Sequence, residues 1–197
     1  MRRELVLSIS AVVLTWSATA MAAPPQLKGQ YAYSGTVDCL FSNTPFNLNL
    51  TPTGPVESTT SSVVGIETFN GDGTGKMTAR NVAFNPPPPA TGLPQISANS
   101  SDATANITYS FDNDGGLTTD IVPGTFLATF LTGPGAGSTF TVDKLNHYGM
   151  VSTNGQMITL ASAEPVMETQ TITPVGGPQI IRYRVCHRSQ VLIWIGK

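Results

Sequence analysis

The fold is decided by the stretch SVVGIETFNGDGTGKMTARNVAF, residues 62–84. Its two arms, residues 62–69 and 76–84, show the alternation of period two that is typical of strands with one buried face. Between the arms, residues 70–75 read NGDGTG, and the glycines supply the positive φ angles that a tight hairpin needs. The stretch therefore predicts two antiparallel strands joined by a short turn.

The same pattern of short strands and glycine-rich turns continues along the chain. Further hairpin turns are predicted at residues 112–116 (DNDGG), 132–137 (TGPGAG), 154–155 (NG) and 174–178 (PVGGP). The remaining predicted strands are residues 29–36, 103–111, 117–122, 126–131, 139–144, 147–152, 156–162, 166–173, 179–188 and 191–195. We expect about eleven strands and no amphipathic helix beyond residue 23.

Sequential hairpins predict an all-β, antiparallel up-and-down meander. An open sheet of this many strands would leave two exposed edges and one uncovered face. Closure of the meander into a barrel removes both problems, and we favour it. The alternative is a β-sandwich.

The amino terminus has the features of a secretory signal peptide over residues 1–22. Arg2 and Arg3 precede an apolar run, and Ala20 and Ala22 are the small residues that a signal peptidase needs. A membrane anchor would need about 20 apolar residues, and this run is shorter. We expect an exported protein, periplasmic or secreted, with no membrane span after cleavage.

Residues 23–197 are predicted to form a single all-β domain, because about 175 residues suit one hydrophobic core. One segment interrupts the strand pattern. Residues 85–94 hold four consecutive prolines, Pro86 to Pro89, which cannot donate ladder hydrogen bonds. We therefore predict an extended surface loop there.

Charge and motif content exclude several functions. The formal net charge is −2, and no basic patch exists to hold phosphates, so we expect no nucleic-acid partner. Two histidines, His147 and His187, are too few for a histidine-rich metal site, and no zinc, nucleotide or nucleophile-elbow motif is present. We expect no metal and no cofactor, and an enzyme is the less favoured class.

The two cysteines, Cys39 and Cys186, predict a disulfide, because an exported chain meets an oxidising compartment. In a closed meander the first and last strands are neighbours, so the disulfide would covalently link the two strands that close the barrel. It would enclose roughly 150 residues and contribute about 5 kcal/mol in the chain-entropy view.

Alternation creates a conflict at this bridge. Cys39 shares a face with the first strand's tyrosines, whereas Cys186 shares a face with Arg182, Arg184 and Arg188. We expect a bulge or bend near Gly35 to reset the alternation and leave the arginines in solvent. The alternative turns the arginines inward and makes a polar lumen suited to an anionic ligand.

Three short motifs carry a family resemblance: LKGQY at 27–31, TFNGDGTG at 68–75 and CHRS at 186–189. They resemble a group of small exported bacterial β-barrel proteins without an assigned activity. The layout is similar to that of calycin-type barrels, which include lipocalins and allene-oxide-cyclase-like proteins. The resemblance implies a barrel fold and assigns no functional residue.

The favoured function is binding of a small apolar or anionic ligand in the barrel lumen. The candidate lining residues are Tyr31, Tyr33, Phe126, Phe130 and Tyr183, with Arg182 and Arg184 if the arginines face inward. A second hypothesis is a solid barrel that acts as a structural or surface-interaction domain. A third is an isomerase or cyclase, for which His187 and Glu168 are the first candidate acids or bases.

Overall fold

The computed structural model of the chain describes residues 26–85 and 97–196. The predicted signal peptide and residues 86–94 of the predicted proline-rich loop lie outside these residues. The described chain forms eleven strands: β1 (Lys28–Ser42), β2 (Val56–Asn70), β3 (Thr74–Asn85), β4 (Ser97–Phe111), β5 (Gly116–Ile121), β6 (Leu127–Phe130), β7 (Thr139–Val142), β8 (Asn146–Val151), β9 (Met157–Ser162), β10 (Met167–Thr173) and β11 (Ile180–Gly196).

All pairings are antiparallel, and they close the sheet into a ring of eight places. Five places are held by the long strands β1, β2, β3, β4 and β11. Each of the other three is shared by two short strands that lie end to end: β5 with β6, β7 with β8, and β9 with β10. The pairing of β4 shows how one place is shared: β4 pairs with β6 at residues 101–104 and with β5 at residues 107–111.

The prediction of an all-β antiparallel meander with barrel-like closure is thus confirmed. Several strand boundaries differ from the sequence prediction: β2 begins at Val56 and β4 at Ser97, each six residues earlier than predicted. β1 continues past Thr36 to Ser42, and the two predicted strands at residues 179–188 and 191–195 are one continuous strand, β11. Ser189 and Gln190, which lie between the two predicted strands, pair with both β1 and β9, so the strand is not interrupted there.

The predicted disulfide is also confirmed. Cys39 of β1 lies directly opposite Cys186 of β11 in the strand register, and their Cα atoms are 4.1 Å apart. These two strands form the closing pair of the ring. The bridge therefore joins the first strand to the last one, as the meander requires.

One half of the barrel is packed solid. Its core contains a chain of edge-to-face aromatic contacts from Tyr31 through Phe69 to Tyr109, with ring centroids 5.4 and 5.1 Å apart. Leu117, Ile158 and Leu192 fill the remaining space and have no exposed surface. The opposite half has smaller inward-facing residues, and a cavity occupies it.

Candidate functional site

The hollow half of the barrel contains a cavity of about 590 Å³. It opens at the end of the barrel where β2 begins and β3 ends, since Glu57 and Asn85 both border it. Small side chains create the space, because Ala79, Ala83 and Ala103 point inward where larger residues would close the lumen. Pockets of this size hold molecules of drug-like dimensions.

Two walls of the cavity differ in chemistry. Phe126, Phe130 and Phe140 form an apolar wall at β6 and β7, and the Phe140 ring lies 5.8 Å from that of Phe126 and 4.9 Å from that of Phe130. The wall at β2, β3 and β4 carries polar side chains between its alanines. Its amide and hydroxyl side chains are Thr59, Ser61, Asn81, Asn85, Ser97, Asn99 and Ser101.

A buried ion cluster lies on the β10–β11 side. Nε of Arg184 donates to Oε2 of Glu168 at 2.8 Å, and Nη2 of Arg188 donates to the same oxygen at 2.7 Å. Nη1 of Arg188 is 2.5 Å from the other oxygen, Oε1. Burial alone would raise the pKa of Glu168, but the two guanidiniums outweigh it and hold that pKa below its usual value.

A second ion pair stands at the cavity rim. Nη2 of Arg182 donates to Oε2 of Glu57 at 2.6 Å, and the Glu57 side chain is 54% exposed. The guanidinium carbons of Arg182 and Arg184 lie 4.9 and 5.9 Å from the ring centroid of Phe41. Phe41 therefore holds two guanidiniums beside each other at the cavity wall.

The expectation that the arginines lie in solvent is wrong. β1 keeps one alternation through Gly35 to Phe41, and its irregularity falls between Gln30 and Tyr31 instead. A Cβ at Gly35 would lie 2.3 Å from the carbonyl oxygen of Ser189, so this glycine permits close approach of β11 and makes no bulge. The cysteines and the three arginines therefore all face the lumen.

The predicted ligand-lining residues divide into three groups. Phe126, Phe130, Arg182 and Arg184 line the cavity. Tyr31 and Tyr33 face the lumen but belong to the packed half, where the Tyr31 hydroxyl donates to the backbone oxygen of Gly155 at 2.6 Å.

Tyr183 is a correction. It alternates with the inward-facing Arg182 and Arg184 and pairs with Thr169, so it lies on the outer face of β11, away from the cavity. The sequence prediction had combined the two faces of one strand.

The sequence prediction missed several lining residues. Phe41 was missed because the first strand was predicted to end at residue 36. Phe140 lies in a strand that was predicted, at residues 139–144, but it was not assigned to the lumen. Arg188 shares the face of Arg184, so alternation would have included it once the arginines were turned inward. The salt bridge between Arg188 and Glu168 joins β11 to β10, and the sequence pattern of either strand does not predict it.

A layer of polar side chains is buried beneath the cavity, in the packed half. Oη of Tyr33, Oε2 of Glu67 and Nε2 of Gln190 are buried without a hydrogen-bond partner among the described residues. Burial raises the pKa of Glu67 to about 7. Burial, together with the nearby Arg188, lowers the pKa of His147 to about 3.

The two candidate acids or bases are not free groups that face the cavity. His187 is exposed on the outer face of β11. Glu168 is held by two guanidiniums. Residues 26–85 and 97–196 contain no group of three histidine, cysteine or acidic side chains placed to hold a metal ion.

Two comparisons with known proteins found no match. A scan against protein-family models finds no match, and a search of curated proteins finds no similar chain. In the described part of the chain, no helix has the length and apolarity needed to cross a membrane.

Proposed function

We propose that the mature chain is an exported barrel that binds one small, largely apolar molecule in the cavity of its hollow half. The observation that carries the proposal is the cavity itself, about 590 Å³ in volume with an aromatic wall. A barrel with only a structural role gains nothing from a large void, because unfilled space forfeits packing contacts.

The lining supports binding of a molecule with an apolar body and a polar end. Phe126, Phe130 and Phe140 offer flat apolar surface, while the asparagines and serines of β3 and β4 offer directional hydrogen bonds. A mostly apolar pocket with a few convergent polar groups is the usual character of a small-molecule site. The disulfide supports export, because such bridges persist in oxidising compartments.

The test is binding of a neutral fluorescent probe, N-phenyl-1-naphthylamine, to wild-type protein and to Ala83→Trp. Ala83 faces the cavity, so an indole there occupies the binding space. The matched control is Val82→Trp, whose side chain is 42% exposed on the outer face of the same strand.

We expect the probe to gain fluorescence with wild-type protein and with Val82→Trp. Ala83→Trp is expected to weaken binding by about tenfold or more, since the lost contacts amount to more than 1.4 kcal/mol. Equal binding by all three proteins would place the probe outside the cavity and overturn the proposal.

A further inference from the structure

We infer that the cavity selects molecules that carry a negative charge, and that it binds a carboxylate, sulfonate or phosphate group at Arg182 and Arg184. This inference rests on the proposed function, because it names the chemistry of the molecule that the cavity takes. It goes further in assigning the anchoring residues and the sign of the ligand's charge.

The first argument is an imbalance of charge. Three guanidiniums line the cavity, whereas Glu57 is the carboxylate among its described lining residues. Glu57 pairs with Arg182 at the rim, so Arg184 and Arg188 are left to share Glu168. The buried cluster therefore carries one positive charge in excess.

Among the described residues, Glu67 is the other acid buried in the barrel, and burial favours its neutral form by raising its pKa to about 7. Asp143 also attracts Arg184, but it is exposed to water and its Oδ1 accepts a hydrogen bond from the backbone amide of Thr169. An uncompensated charge in a low-dielectric interior is costly, and a bound anion offsets that cost.

The second argument is hydrogen-bonding capacity. The Arg184 side chain is only 10% exposed and meets Glu168 through Nε. Its two Nη atoms have no hydrogen-bond acceptor among the described residues, and the side chain lines the cavity. Nε of Arg182 is buried and likewise has no partner in this part of the chain.

The third argument is orientation. Arg182 and Arg184 are alternate residues of β11, so both point inward, and the Phe41 ring lies against both guanidiniums. Glu168 fixes Arg184 from the other side. Two oriented guanidiniums with free N–H groups can donate hydrogen bonds to the oxygen atoms of a carboxylate, sulfonate or phosphate group.

The position of this pair suits an amphipathic anion. The guanidiniums line the same cavity as the Phe126–Phe130–Phe140 wall. One molecule can therefore place its charged group on the arginines and its apolar body on the aromatic rings. Neutral apolar molecules use only the second set of contacts.

The experiment compares two probes that share one skeleton: neutral N-phenyl-1-naphthylamine and its sulfonate, 1-anilinonaphthalene-8-sulfonate. Both are titrated against wild-type protein, Arg184→Gln, Arg182→Gln and Arg80→Gln. Arg80 is the matched control, because it pairs with Asp102 on the outer surface and its side chain is 60% exposed. Ala83→Trp is added to show that each probe enters the cavity.

We expect wild-type protein to bind the sulfonate about tenfold or more tightly than the neutral probe. Arg184→Gln should reduce sulfonate affinity by a similar factor and leave neutral-probe affinity within about twofold. If Arg184→Gln fails to fold, Arg182→Gln carries the test, since Arg182 does not contact Glu168 and lies at the rim.

Two results overturn the inference and are distinct from each other. The inference is wrong if wild-type protein binds both probes with equal affinity, or if the arginine variants weaken the binding of both probes equally. The proposal that the cavity binds small molecules would still hold in that case. Binding of both probes that Ala83→Trp leaves unchanged removes the proposed function, and the inference falls with it.

Discussion

At the scale of single residues, two buried ionisable groups in the packed half have pKa values shifted in opposite directions. Burial raises the pKa of Glu67 to about 7 and lowers that of His147 to about 3. Each shift favours the neutral form, because a low-dielectric interior penalises charge of either sign. Both groups are therefore uncharged in the folded protein between pH 4 and 6. Glu67 costs stability as the pH rises from about 4.5 to 7, and His147 costs stability as the pH falls from about 6.5 to 3, so the two effects overlap and oppose each other.

Glu67 makes the first prediction. Its folded-state pKa lies above the ordinary value, so its contribution is complete in acid and declines as the pH rises through the folded-state value. With a pKa of about 7 against 4.5, ionisation of Glu67 should cost the wild-type protein on the order of 3 kcal/mol above neutral pH. Glu67→Gln should remove this contribution, so the stability at pH 8 minus that at pH 5, measured by urea unfolding, should be about 3 kcal/mol more favourable in the variant than in the wild-type protein.

Two controls accompany that measurement. Glu164→Gln changes an exposed carboxylate and should retain the wild-type difference between the two pH values. His147→Gln should change the same difference in the opposite direction, because a lowered histidine pKa costs stability as the pH falls from about 6.5 towards 3 and therefore already does so at pH 5. A Glu67→Gln protein with the wild-type pH dependence would contradict the assignment.

At the scale of the strands, proline decides which places in the ring are continuous. The five long strands contain no proline. Two of the three divided places carry one at the break: Pro123 between β5 and β6, and Pro165 between β9 and β10. A proline lacks the N–H group that a ladder needs, so it ends one strand and lets the next begin at a new angle.

The third divided place has a different cause. Between β7 and β8, Oδ1 of Asp143 accepts the backbone amide of Thr169 at 2.7 Å. A side chain thus takes a bond that would otherwise belong to the ladder. Local side-chain competition and proline have the same effect on strand continuity.

The closure between β1 and β11 provides the prediction at this scale. Cys39 and Cys186 are 147 residues apart, so the bridge restricts almost the whole unfolded chain. Replacing both by serine should lower the free energy of unfolding by up to about 5 kcal/mol. Guanidinium unfolding of the oxidised protein and of the double variant measures the difference.

The control for this prediction is the reduced wild-type protein, which has the same core atoms without the bond. It should match the double variant within about 1 kcal/mol. Equal stability of all three forms would mean that the strand ladder alone secures the closure.

At the scale of the whole molecule, the barrel is half packed and half hollow. Aromatic and branched side chains fill one end, including Tyr31, Phe69 and Tyr109. Alanine and serine face inward at the other end, including Ala83 and Ser101. Strands pair in both halves, and the halves differ in the volume of their inward-facing side chains, which determines where the lumen opens.

Native mass spectrometry gives the prediction at this scale. Protein secreted by its own host should show a native mass a few hundred daltons above the denatured mass, because a cavity of this size holds one drug-sized molecule. The denatured mass should lie about 2 Da below that of the reduced chain. Ala83→Trp should lose the excess and Val82→Trp should keep it; an excess retained by both would place the bound molecule elsewhere.

The sequence by itself determined the features that depend on neighbouring residues. Turn glycines and period-two alternation are local signals, and they predicted the strands, the meander and its closure. The pairing of Cys39 with Cys186 followed from that order, since the first and last strands of a closed meander are adjacent. Phe126 and Phe130 could be placed in the lumen for the same reason.

Only the tertiary structure decided which face of β11 is buried and how the lumen is filled. Gly35 reads equally well as a bulge or as a site of close approach, and the contact with Ser189 settles it. Glu168 between Arg184 and Arg188 joins residues from two strands. Burial of charge depends on partners that are distant along the chain, and alternation within one strand carries no information about them.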